Sequence, residues 1–107
     1  MDALWTVLLA LTLLPLAGCA ETQACPQLDT QATVQEVRGN DLSVRLVESG
    51  ELAVLHVADA ALYRQDPDGC QRITVQEVTT GSNVSFHVDA WAESYPMQGW
   101  PDEVVVA

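Results

Sequence analysis

Apolar and polar residues alternate at every second position through much of this chain. Leu42, Val44 and Leu46 are interleaved with Ser43, Arg45 and Val47, and Val84, Phe86, Val88 and Ala90 with Ser85, His87 and Asp89. Successive side chains of an extended strand point to opposite faces, so a period of two predicts half-buried strands rather than helices. Between Val37 and Leu42 lies Arg38-Gly39-Asn40-Asp41, a hairpin turn signal, since Gly and Asn tolerate positive φ. Ser49-Gly50 is a second such turn. Segments 28–37, 42–48 and 51–57 therefore read as a three-stranded meander. Further along, the alanine-rich stretch 59–64 could form one helical turn, and Gln65-Asp66-Pro67-Asp68-Gly69 reads as a loop. Strands are expected over 84–90 and 103–106, and a strand or irregular edge over 73–78. The segment 91–102 holds Pro96, Gly99 and Pro101 and reads as a loop. Thr33-Val34-Gln35-Glu36-Val37 recurs as Thr74-Val75-Gln76-Glu77-Val78, either an old duplication or the common look of barrel hairpins.

The alternation begins only after an uncharged, Leu-rich run over residues 3–17. A run of about 15 residues falls short of the roughly 20 needed to span a bilayer. It ends in Leu16-Ala17-Gly18-Cys19 and a polar chain follows, the layout of a removable export signal. These residues resemble the lipobox of bacterial lipoproteins. The resemblance implies that residues 1–18 are cut away and that the Cys19 thiol carries a diacylglyceryl group. It also implies that the amine exposed by cleavage is acylated, as with palmitate. Met1-Asp2-Ala3 departs from the usual pattern in lacking Lys or Arg. Ala20 follows the anchor, where sorting of the enteric type implies the outer membrane. Residues 19–26 then form a lipidated tether and 27–107 the folded domain. With each buried methylene worth about 0.8 kcal/mol, two or three acyl chains hold such a domain at the membrane.

Cys25 and Cys70 remain once Cys19 carries lipid. Exported domains keep thiols oxidised, and two thiols permit one intramolecular pairing. Closing a loop of about 45 residues contributes about 4 kcal/mol in the chain-entropy treatment. For a domain with room for only one modest core, that is a large share of stability. The chain has no Cys-x-x-Cys pair and two His, so no metal or other cofactor is expected.

Fifteen acidic residues stand against four Arg and no Lys, and the formal net charge is −11. Nucleic-acid binding depends on cationic groups that displace phosphate counterions, so that function is excluded. An acidic surface is soluble and attracts basic partners or divalent cations.

Five or six short strands with tight turns avoid open edges by curling into a small barrel. Three strands, a helical turn and two strands follow the order of an OB-like barrel. Its ligand face is flanked by the loops after the first and fourth strands, here 38–41 and 91–102. The stretch Gly81-Ser82-Asn83-Val84-Ser85-Phe86, then Glu93-Ser94-Tyr95-Pro96-Met97-Gln98 and a terminal Val104-Val105-Val106, resembles the YobA-type family of small secreted or lipid-anchored bacterial proteins. Met97 stands where that family often has a second Pro. The resemblance implies a β-fold and, the family being of unknown function, no activity.

Several residue sets invite a chemical reading. Ser85, His87 and Asp89 share one face of the 84–90 strand, but neighbours at i and i+2 lie about 6.5–7 Å apart, beyond triad reach. They read as a solvent-facing polar row. Asp66-Pro67-Asp68-Gly69 has calcium-loop character, yet the sixth position, which needs Gly, is Gln71. It reads as a tight acidic turn. His56 lies in an apolar run and reads as a core or edge residue. No nucleophile or acid–base set points to an enzyme. The best partner-binding candidates are Trp91, Tyr95, Met97 and Trp100, which fall within one loop. Aromatic side chains offer broad contact area with a polar handle. Either they receive a partner, or they fold back as a lid over the core.

The sequence thus predicts a lipid-anchored envelope protein whose barrel is a non-catalytic binding or accessory module for an envelope protein or glycan. The alternative is an inhibitor of a lysozyme-type hydrolase, since an acidic surface suits a basic enzyme.

Overall fold

A computed structural model describes residues 24–107. The expected export signal, Cys19 and most of the expected tether lie outside the described residues. The domain is all-β. Its strands are β1 (Thr30–Arg38), β2 (Asp41–Leu46), β3 (Leu52–His56), β4 (Ala61–Asp66), β5 (Gly69–Ile73), β6 (Asn83–Phe86), β7 (Met97–Gly99) and β8 (Glu103–Val106). They form one mixed sheet in the order β5-β4-β8-β6-β1-β2-β3-β7.

The meander is present as expected: β1 pairs with β2 and β2 with β3, all antiparallel. The first turn places Gly39 at φ 61°, a left-handed conformation that costs glycine nothing. A register shift between Val34 and Glu36 bends β1, so its first half also pairs with β6. The ring closes through the chain itself. β7 runs parallel to β3, and β8 runs antiparallel to β6. Both belong to the single segment 97–106, which crosses from one side of the barrel to the other. Pro101, which has no N–H to give a ladder, sits in the break between them.

The sheet has eight strands where five or six were expected. Part of the excess is this split of the last segment, whose first half lay in the expected 91–102 loop. The rest is the hairpin β4–β5, attached outside the ring where β4 runs parallel to β8. Residues 59–64 therefore make no helical turn; pairing with β5 and β8 overrides the alanine preference. Residues after Ile73 form a short 3₁₀ helix, Val75–Glu77, rather than strand. Thr74 N–H donates to Glu77 Oε2 at 2.9 Å and opens it, as a capping box does. The two Thr-Val-Gln-Glu-Val copies thus fold differently, one inside β1 and the other into this helix.

Alternation sets the core. Ala32, Val34, Leu42, Val44, Ala53, Leu55, Val84, Phe86, Val104 and Val106 all point inward and are buried. Outside the ring, Cys25 and Cys70 are disulfide-bonded, with Cα atoms 4.9 Å apart. The bond ties the segment before β1 to the start of β5. Among the described residues no helix is long and apolar enough to cross a membrane.

Candidate functional site

The four aromatic-loop candidates divide into two pairs. Trp91 is half-buried, with its ring edge-on to Phe86 at 6.1 Å and 81°. Gly99 makes room for it, since a Cβ there would lie 2.9 Å from Trp91 Cζ3 and 2.9 Å from Val88 Cγ2. Met97 also packs against the core. Trp91 and Met97 therefore serve as the lid. Tyr95 and Trp100 face outward, 88% and 58% exposed. Gly99→Ala is expected to cost about 1–3 kcal/mol, because the ring it meets is wedged against the core. Urea unfolding followed by far-ultraviolet circular dichroism measures that loss, and an unchanged midpoint would refute the contact.

Backbone pairing presents Tyr95 at a loop tip. Ala92 N–H donates to Gln98 C=O at 2.8 Å and Gln98 N–H returns to Ala92 C=O at 3.2 Å, closing residues 92–98 into a narrow hairpin. Ser94 Oγ donates to Pro96 C=O at 2.7 Å across the tip.

Trp100 rests on a histidine that the sequence alone did not connect to it. Its ring stacks on His56, with centroids 4.9 Å apart and planes 24° apart. His56 ends β3 and is half-buried. Cross-strand register sets Asp41 of β2 beside it, while β7 brings Gln98 to its other side. Nδ1 lies 2.9 Å from Asp41 Oδ1 and Nε2 lies 2.8 Å from Gln98 Oε1. An acceptor oxygen stands at each ring nitrogen, an arrangement that favours the imidazolium. Gln98 above all, and then Asp41, hold the His56 pKa above the ordinary imidazole value, against desolvation. The pair clamps the ring and so fixes the plate on which Trp100 stacks. The signal legible in the sequence was only that His56 falls on an apolar strand.

His87 occupies a second polar cluster. β6 ends at Phe86, so His87 and Asp89 are not held in parallel strand positions as expected. The chain bends, and His87 Nε2 meets Asp89 Oδ1 at 2.9 Å while Nδ1 meets Asp29 Oδ1 at 3.0 Å. Asp29 first, then Asp89, raise the His87 pKa, and the same contact lowers that of Asp29. Ser85 stays in the sheet opposite Gln31 and Val105. The cluster fastens the entry segment to the chain after β6; both ring nitrogens are spent on carboxylates. Asp66 faces Gly69 across the β4–β5 turn and pairs with Arg64 at 3.6 Å. Among the described residues no group of three His, Cys, Asp or Glu side chains is arranged to hold a metal ion.

The His56 face presents its aromatic residues outward. It offers an aromatic ring fixed from behind and a second aromatic at a loop tip. Comparison with protein-family models, curated proteins and solved structures finds no match to this chain.

Proposed function

We propose that this protein is a lipid-anchored component of the bacterial envelope, tethered through Cys19, whose barrel is a non-catalytic docking module for an envelope protein or glycan. One observation carries the docking role: Trp100 is largely exposed, yet its ring is held in place by stacking on a clamped histidine. An aromatic side chain fixed before binding loses little entropy when a partner covers it. The apolar leader ending at Leu16-Ala17-Gly18-Cys19 supports the anchor. The Cys25–Cys70 bond suits an oxidising compartment outside the cytosol. Ala20 favours the outer membrane.

Crosslinking capture from the native envelope, with the anchored protein as bait, tests this reading. Cys19→Ser is expected to abolish palmitate labelling and membrane retention. Tyr95→Ala combined with Trp100→Leu is expected to abolish capture while the circular dichroism spectrum stays native. Undiminished capture by that folded variant rules out the aromatic face; retained labelling in Cys19→Ser rules out the anchor.

A further inference from the structure

Beside Trp100 lies a hollow of about 300 Å³ lined by His56, Ala58, Asp59, Trp100, Pro101 and Asp102. Two short connections build it. The β3–β4 turn carries Ala58 and Asp59 and is closed by Ala60 N–H donating to Val57 C=O at 3.1 Å. The β7–β8 break carries Trp100 to Asp102 and is fixed to β4 by Ala61 N–H donating to Asp102 C=O at 2.9 Å. Backbone hydrogen bonds thus hold Asp59 and Asp102 on the rim of one hollow, beside a fixed aromatic ring.

His56 in the lining is paired with Asp41, and the charges left around this hollow are unbalanced. Asp59 and Asp102 are exposed, and neither carboxylate has an ion pair or side-chain hydrogen bond among the described residues. Each of the four arginines is engaged elsewhere. Arg38 pairs with Glu36, Arg64 with Asp66, Arg45 donates to Gly50 C=O, and Arg72 lies over the Tyr63 ring. One face of Trp100 is stacked on His56, and the residue is 58% exposed.

We propose that this hollow takes a cationic side chain, an arginine guanidinium or a lysine ammonium, presented by a basic partner protein; the inference rests on the docking reading above. The face of an indole attracts a cation through its quadrupole, and ionised carboxylates at the rim accept its N–H groups. A sugar also stacks on tryptophan, but its hydroxyls need donors as well as acceptors. Ionised Asp59 and Asp102 supply acceptors alone. A chain of net charge −11 with no Lys also draws a basic partner at long range.

Calorimetric titration of the full chain in neutral detergent micelles tests the proposal with three probes. They are a Gly-Arg alternating dodecapeptide, the same peptide with citrulline for arginine, and an N-acetylglucosamine hexamer. The arginine peptide is expected to bind about tenfold more tightly than the citrulline peptide. Trp100→Leu and Asp59→Asn/Asp102→Asn are each expected to weaken it about tenfold, the second also flattening its salt dependence. Glu48→Gln/Asp68→Asn removes the same charge at other turns and should change affinity less than twofold. Should Trp100→Leu fail to fold, the aspartate pair still decides. The proposal is overturned if the arginine peptide does not bind, or if the Asp59/Asp102 and Glu48/Asp68 double variants weaken it equally, the mark of diffuse attraction. Binding of the hexamer alone, lost in Trp100→Leu, overturns the cationic occupant and leaves the docking face standing.

Discussion

Replacing Cys25 and Cys70 together by alanine is expected to lower unfolding free energy by about 4 kcal/mol. The disulfide closes a loop of 45 residues, and the chain-entropy treatment gives about that figure for such a loop. Total stability for a domain of this size lies near the lower end of roughly 5–15 kcal/mol, so most of the margin would go. The loss should be uneven. β5 is a sheet edge and pairs only with β4, and β4 joins the ring only along β8. The disulfide adds a covalent tie from this outer hairpin to the entry segment, while the meander pairs continuously from β1 to β3. Amide exchange in β4 and β5 should therefore quicken more than in β1, β2 and β3. Urea unfolding of the wild type with and without reductant, beside the double variant, measures the total. Wild type under reductant should match the variant, and the variant should ignore reductant. Equal stability of oxidised wild type and variant would show that the bridge contributes nothing.

Much of the barrel was legible because its strands obey a local rule. Leu42 and Val44, or Val84 and Phe86, sit two apart and are buried together, as alternation requires. The Gly39-Asn40 turn carried its own signal, and two thiols left after Cys19 allowed a single pairing. The rest depended on distant partners. Residues 61–66 become a strand because 103–106 and 69–73 lie on either side, which no short window reveals. β7 has three residues between a Pro and a Trp, and only its ladder to β3 makes it a strand. The fates of the two aromatics Trp91 and Trp100 were set by neighbours as well. Gly99, one residue from Trp100, leaves the gap that Trp91 fills, and its value here is missing volume rather than unusual φ. The His56–Trp100 stack escaped notice because it joins residues far apart in sequence, and its clamp comes from Asp41 and Gln98 on two further strands.

Phe86 is the only phenylalanine of the chain, it is fully buried, and its replacement by alanine is expected to cost about 3–5 kcal/mol. It sits on β6, the strand that joins β1 to β8, so its ring fills the side of the barrel where the closing segment returns. The adjacent strands bring short side chains beside it: Thr30 and Val104 lie opposite in the ladders, Ala32 and Val106 two positions along, and none can swing far into a void. The cavity would persist rather than collapse, which places the cost toward the upper part of that range. Phe86→Leu keeps most of the volume and should cost less than about 1.5 kcal/mol. Denaturant unfolding separates the outcomes: a lower midpoint at unchanged slope marks lost packing, whereas a changed slope would mark a looser barrel. The edge-on contact to Trp91 adds a second readout. Combining Phe86→Leu with Trp91→Leu should reveal a coupling of about 0.5–1.5 kcal/mol. Strict additivity of the two would mean that the lid rests on Gly99 and Val88 alone. Because that lid lies on Gly99, the residue preceding Trp100, loosening it should also disturb the His56 stack. Binding at the aromatic face is therefore expected to weaken in Phe86→Ala under conditions where the barrel is still folded.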